Sequence, residues 1–192
     1  MKVLGIVCSP RKGGNTEIMV EEALAAAREA GAQTEIVLVA NKNIAQCDGC
    51  DSCRETGVCR IKDDMQTIYQ QLEASDAIIF GTPVYFGNVS AQAKTIIDRT
   101  FSLRGQRKLS GKVAASVVVA RRVGAAQVRT FLSGFFVNQR MVAVRGAVGY
   151  GSAKGEIRQG VGGTQGLLAL DEARNVGSDI VQMVERLSKP TS

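Results

Sequence analysis

Apolar positions along the chain switch between two periods, and the switches mark out an alternating series of strands and helices. Residues 2–7 form a short apolar run that stops at Ser9-Pro10, after which Ile18, Val20, Ala23, Leu24 and Ala27 recur at helical spacing up to Gly31. Residues 33–40 read as a second strand, rich in Ile, Val and Leu. Met65, Ile68, Tyr69 and Leu72 share one face of a helix opened by Asp63 and Asp64, whose charges suit its positive end. A third strand over 77–81 leads into a turn-rich loop over 83–88 and a helix over 91–103. Residues 113–120 are apolar except for the small Ser116, as a strand buried on both faces should be. A helix over 125–138, a fifth strand over 142–148, a glycine-rich loop over 149–166, either mobile or ligand-covering, and a final helix over 167–187 complete the series, with a frayed end at 188–192.

Five strands alternating with about five helices predict an α/β fold: a doubly wound five-stranded parallel sheet with helices on both faces. The expected strand order is 2-1-3-4-5, in one domain over 1–192, because 192 residues with 45% apolar content suffice for one core. In that order ligands bind where the winding reverses, outside the carboxyl ends of strands 1 and 3. The loops at that point are residues 9–16 and 82–88.

Composition narrows the chemistry. The chain has no histidine, so Ser-His and Cys-His nucleophile pairs and His-ligated metals are excluded. Lys and Arg outnumber Asp and Glu by 24 to 18, a formal +6. The densest basic stretch, Arg99, Arg104, Arg107, Lys108 and Lys112, has few aromatics beside it and reads as a solvated face, not a nucleic-acid footprint. No apolar run approaches the roughly 18 residues of a membrane span. The run up to Cys8 is too short for a signal peptide and reads as a buried strand, so a soluble, cytoplasmic protein is expected.

Cys8-Ser9-Pro10-Arg11-Lys12-Gly13-Gly14-Asn15-Thr16 follows a strand and opens a helix, which aims free N–H groups and a positive dipole end at one point. Ser9, Asn15 and Thr16 add donors, Arg11 and Lys12 add charge, and Gly14 allows close approach, the composition of a phosphate site. It matches neither nucleotide-binding glycine fingerprint, and a simple capped turn accounts for it equally well. Thr82-Pro83-Val84-Tyr85-Phe86-Gly87-Asn88 is apolar, aromatic and amide-bearing, suited to a flat heteroaromatic ring or to ordinary core packing. Both at one switch point suit FMN.

Cys47-x2-Cys50-x2-Cys53-x5-Cys59 gathers four of the five cysteines into one connection, a cysteine-rich loop at 44–62. Four thiolates suit zinc or an iron-sulfur cluster, and thiol exchange is a third use of such spacing.

Together with Lys62-Asp63-Asp64-Met65 and Lys94-Thr95-Ile96-Ile97-Asp98-Arg99, these segments resemble the iron-sulfur flavoprotein family, a flavodoxin-like branch of the NADPH-dependent FMN reductase group. The resemblance implies that Ser9, Arg11, Asn15 and Thr16 hold the FMN phosphate. It also implies that Pro83, Val84, Tyr85, Phe86, Gly87 and Asn88 line the ring, and that Cys47, Cys50, Cys53 and Cys59 ligate [4Fe-4S]. Further implications are a homodimer or homotetramer, electrons entering from ferredoxin or NAD(P)H, and a small acceptor such as a quinone or an oxygen species. The chemistry would lie on the cofactors, with no catalytic side-chain acid or base. One segment departs from the reductase pattern: Arg121-Arg122-Val123-Gly124 stands where a glycine-rich turn is expected. The alternatives are a plain NAD(P)H-dependent FMN reductase with zinc or free thiols, and a nucleic-acid-binding module.

Overall fold

A computed structural model describes residues 1–158 and 165–189. In chain order the elements are β1 (Lys2–Val7), α1 (Asn15–Glu29), β2 (Gln33–Leu38), α2 (Cys53–Thr56), α3 (Met65–Ala74), β3 (Ala77–Tyr85), β4 (Asn88–Val89), α4 (Ala91–Arg99), α5 (Phe101–Arg104), β5 (Val113–Ala120), α6 (Ala125–Asn138), β6 (Val142–Ala143), β7 (Ala147–Tyr150) and α7 (Gln165–Ser188). Short 3₁₀ turns follow β2 at Val39–Asn41 and β7 at Glu156–Arg158.

The period of two along β1 sorts its side chains to opposite faces. Leu4, Ile6 and Cys8 enter the core shared with Met65, Ile68, Ile96 and Leu132 of α3, α4 and α6, whereas Val3 and Val7 enter the core beneath α1 and α7. Each fully buried aliphatic side chain contributes about 1.5–3 kcal/mol, so both faces must be covered. Helices α1 and α7 touch most closely at Gly177, where a Cβ would run into the Ala23 carbonyl oxygen. Across the same contact Arg174 reaches Glu22 at 3.4 Å and Glu29 at 2.5 Å.

The sheet runs β2-β1-β3-β5-β6, with β7 also paired to β5, and every one of these pairs is parallel. The expected order is therefore present, with three departures. The fifth strand is broken: Ala114 pairs with Ala143 but Val117 with Ala147, so the edge strand carries one extra residue, a bulge between β6 and β7. The third strand continues through Thr82 and Pro83, which pair with Val118 and Val119, and turns back at a two-residue hairpin into β4. The helix expected over 91–103 is interrupted at Thr100 and resumes as α5; there the Thr100 hydroxyl donates to Ile97 O (2.6 Å) and Gln139 Nε2 donates to Thr100 Oγ1 (3.0 Å).

Of the glycine-rich stretch, Gly149 and Tyr150 belong to β7, and residues 159–164 lie outside the described residues, as does the end at 190–192. Among the described residues no helix is long and apolar enough to cross a membrane.

Candidate functional site

The carboxyl ends of β1, β3, β5 and β7 frame a cleft of about 250 Å³. Its floor is the segment between β1 and α1, from which Ser9, Arg11, Gly14, Asn15 and Thr16 all line it. Gly14 is the N-cap of α1 and no side chain caps the helix, so the first-turn N–H groups of a fifteen-residue helix face the cleft without a side-chain acceptor. Ser9 and Thr16 are almost fully buried around this point. Ser9 Oγ accepts from Arg11 N (3.2 Å) and so shapes the turn, while Thr16 lines the cleft beside it. Glu17 takes up one loop amide: Gly13 N donates to its Oε2 (2.6 Å).

Asn15 faces both ways. It borders the cleft, yet its Nδ2 donates to Ala153 O (2.9 Å) and its Oδ1 accepts from Ile157 N (3.4 Å), which ties the segment after β7 against the start of α1. Arg11 adds a second tie, donating from its guanidinium to Ser152 O (3.1 Å). Glu156 closes that segment by accepting from Ser152 N (2.6 Å) and Ala153 N (2.7 Å), and these donors hold its carboxyl below the usual carboxylate range.

Pro83, Val84 and Tyr85 form the facing wall. Phe86, Gly87 and Asn88 do not line the cleft. Phe86 and Gly87 are the central residues of the β3–β4 hairpin and both have positive φ, 49° and 73°, as a two-residue primed turn requires. Phe86 is a bulky residue in the left-handed region with a fully exposed side chain, held there by the Tyr85–Asn88 and Val84–Val89 pairs. Gly124, at φ 94°, fits against this hairpin: a Cβ there would lie 2.9 Å from Val84 Cγ1 and 3.1 Å from Gly87 Cα. The cleft also contains Gly151 and Ser152, from the loop expected to cover a ligand, and Val119 and Arg121, which sequence reasoning did not assign to it. Arg121 carried a signal, a cation immediately after the buried fourth strand and at its carboxyl end.

The cysteine loop forms a second centre. Cys47, Cys50, Cys53 and Cys59 all border one cavity of about 30 Å³, none is in a disulfide, and Cys53 starts the short helix α2. A disulfide-free set of four soft donors around one space fits the chemistry of a metal-sulfur group. Among the described residues no three Cys, His, Asp or Glu side chains gather tightly enough to hold a single ion, so the shared cavity is the feature present. Ser52 Oγ donates to Cys50 Sγ (3.4 Å) and lowers that thiol's pKa, whereas burial and the neighbouring sulfurs raise that of Cys53. Cys8 stands apart, buried in the core with its thiol pushed up by burial.

One residue of the expected solvated basic face is in fact fully buried. Arg99 forks onto Asp63, at 2.7 Å and 3.0 Å, and also donates to Ala45 O (2.7 Å), Ile61 O (3.4 Å) and the Tyr69 hydroxyl (3.3 Å). Burial works against both charges, but the pairing prevails: Asp63 stays below the carboxylate range with added help from the Ala45 and Met65 N–H groups, and Arg99 is raised further. Two sequence segments separated by more than thirty residues thus meet at the base of the cysteine loop. Arg99 also borders the thiol cavity.

Three comparisons place this arrangement among known proteins. A sequence model of the NADPH-dependent FMN reductase family matches residues 1–155. An iron-sulfur flavoprotein of Methanocaldococcus jannaschii is 38% identical, with 98% of this chain and 100% of that protein covered. One from Archaeoglobus fulgidus is 37% identical over 96% of this chain and 81% of its own length. Among solved structures, an NAD(P)H:quinone oxidoreductase from Methanothermobacter marburgensis superposes with a TM-score of 0.72 at 16% identity, covering 94% of this chain and 98% of its own. A WrbA-like flavodoxin protein from Agrobacterium tumefaciens does so at 0.67 and 18% identity, covering 97% and 98%.

Proposed function

We propose that this chain, which belongs to the iron-sulfur flavoprotein branch of the NADPH-dependent FMN reductase family, binds FMN in the cleft at the start of α1 and a [4Fe-4S] cluster on its cysteine loop. It is a flavin-dependent oxidoreductase. The observation that carries the FMN assignment to this cleft is the uncapped start of α1. A fifteen-residue helix opens on an enclosed floor with Ser9 and Thr16 hydroxyls beside its free N–H groups, and an apolar wall of Pro83, Val84 and Tyr85 stands across from it.

In this reading Ser9, Thr16 and the first-turn amides of α1 hold the phosphate, and Arg11 balances its charge. Asn15 acts mainly through Ala153 and Ile157, keeping the segment after β7 closed over the floor. Tyr85 and Val84 give the ring an apolar bed, and Arg121 places a cation at its side. Cys47, Cys50, Cys53 and Cys59 supply the cluster's thiolates. When bound, FMN would supply one- or two-electron chemistry and the cluster single-electron chemistry, which suits exchange between NAD(P)H or ferredoxin and a small acceptor such as a quinone or oxygen species. Phe86, exposed on its hairpin, is available to a second copy in a homodimer or homotetramer.

Purification without oxygen followed by flavin, iron and sulfide analysis tests the reading. Retained FMN with about four irons and four sulfides per chain is expected. Flavin accompanied by zinc or by no metal would reduce the protein to a plain FMN reductase. Tight, salt-sensitive DNA binding without flavin would replace both readings.

A further inference from the structure

We propose that Arg99 and Asp63 form a positioning clamp that gives the cysteine loop its ligand-ready shape before any metal arrives, and that the Arg99 charge then lies beside the bound cluster. The proposal rests on the reading that the four thiols hold an iron-sulfur cluster.

A buried ion pair by itself is weak evidence for anything beyond packing, since apolar replacements of such pairs are often neutral or stabilising. What distinguishes this one is the direction of its hydrogen bonds. A guanidinium has five N–H donors, and all five of Arg99 are engaged: Nε on Tyr69, the NH1 group on Ala45 O and Asp63, and the NH2 group on Ile61 O and Asp63. Ala45 precedes the first cysteine and Ile61 follows the last. Asp63 reinforces the closure, since its carboxylate accepts from Ala45 N (2.8 Å) as well as from Met65 N (3.0 Å). Beside it Asp64 accepts from Asn43 N (2.7 Å). The two ends of the loop are thereby fastened to one planar cation.

The cation is in turn fixed by the rest of the fold. It is the last residue of α4, and the Tyr69 hydroxyl of α3 donates back to Arg99 O (2.9 Å). The cavity that Arg99 borders is the one bordered by Cys47, Cys50, Cys53 and Cys59. Four thiolates repel one another, so a loop that must gather them gains from ends already held together and from a cation next to the space they enclose. Lysine can supply the charge but not the fork.

The test uses two variants, each as metal-free chain and after cluster reconstitution. Arg99→Lys keeps the charge and loses the fork. The pair Asp63→Leu with Arg99→Met removes both charges together, which spares the fold an unpaired buried ion. In metal-free protein, hydrogen exchange at the Ala45 amide should accelerate by at least about tenfold in both, since it loses a charged acceptor or the geometry that holds one. After reconstitution, both should lose iron to a chelator at least about tenfold faster than the parent. The cluster potential should stay near the parent's in Arg99→Lys and move negative in the double variant, because the lost cation borders the cavity and the lost carboxylate does not; a purely structural role would not produce that difference. FMN affinity and melting temperature should change little in the double variant.

Unchanged Ala45 exchange, or iron retained as in the parent, overturns the clamp. Loss of the fold in both variants would assign the pair to the core and also overturn it. If the parent chain takes up zinc or no metal, the cluster reading fails, and the metal-free exchange result still decides whether the clamp exists.

Discussion

Thr16 is the side chain on which the phosphate assignment depends most directly. It is 2% exposed, stands in the first turn of an uncapped helix, and lines the floor of the cleft. Thr16→Val keeps shape and branching while deleting the donor. A hydrogen bond to a charged group is worth about 1.5–3 kcal/mol, so FMN should bind roughly ten- to a hundredfold more weakly, with iron content unchanged. Fluorescence titration of released flavin measures this, and equal affinity would remove Thr16 from the phosphate site. Asp63 makes a second prediction, in pH. Its folded pKa lies below the unfolded value of about 3.9, so its contribution is fully present above that value and is lost as pH falls through the folded pKa. Asp63→Asn leaves a buried guanidinium without its counter-charge, a loss of about 3–5 kcal/mol at neutral pH. The stability gap between parent and variant should be flat above about pH 5 and narrow below about pH 4. A gap that stays constant down to pH 2 in denaturant titrations would show that the carboxylate charge contributes nothing.

At the scale of elements, two glycines in helices predict opposite responses to the same methyl group. Gly177 of α7 has the Ala23 carbonyl where a Cβ would go, and backbone on both sides leaves no rotamer to absorb it. Gly177→Ala should cost about 1–3 kcal/mol, lowering the melting temperature by roughly 2–12 °C. Gly134 of α6 has open space there, and Gly134→Ala should gain about 0.5–1 kcal/mol. Calorimetry on both reads the contrast, and stabilisation by both would mean that α1 and α7 are less tightly crossed than described. How far such elements can be read from sequence follows from what fixes them. The central strands were legible because nearly continuous apolar runs such as Val113–Ala120 admit one burial pattern. The β3–β4 hairpin was not, since Pro83 reads as a turn signal although its missing N–H is tolerated where β1 no longer pairs beside β3, beyond Gly81. Phe86 at positive φ contradicts the residue's own preference, so only strand pairing around it reveals the turn. The floor of the cleft was visible as a strand, a donor-rich loop and a helix, and Gly151 and Ser152 fall in the glycine-rich loop read as a cover, while Val119 and Arg121 come to it from a strand whose adjacency is a property of topology. Arg99 was hidden for the same reason. Its partner lies far away in sequence, and its neighbours Arg104, Arg107 and Lys108 are the exposed cations it was grouped with.

For the whole molecule the decisive relation is between the two centres, and α4 sets it. At its start Ser90 caps the helix, accepting from Ala93 N (3.1 Å), and is fastened to the strand ends beside the cleft. Its hydroxyl donates to Cys8 O (2.6 Å) and its N–H to Thr82 Oγ1 (3.1 Å). At its end Arg99 grips both ends of the cysteine loop. With a rise of about 1.5 Å per residue, the nine residues Ala91–Arg99 separate these anchor points by roughly 13 Å along a rigid element. The cleft and the thiol cavity share no lining residue. Changes at sites more than about 7–10 Å apart without shared partners add to within roughly 0.5 kcal/mol, so the centres should titrate and fail independently. Cys50→Ala should therefore abolish iron incorporation while changing FMN affinity by no more than about twofold. Ser90→Ala is the informative contrast, because it removes the cap and the tie to Cys8 together, at about 1–2 kcal/mol, and loosens the end of α4 fastened to the strand ends beside the cleft. If α4 is the rigid spacer described, Ser90→Ala weakens FMN binding through the strand ends next to Ser9 and Pro83 and leaves the Ala45 amide protected by the Arg99 clamp. Loss of FMN in Cys50→Ala, or loss of Ala45 protection in Ser90→Ala, would mean instead that the two centres fold as one unit.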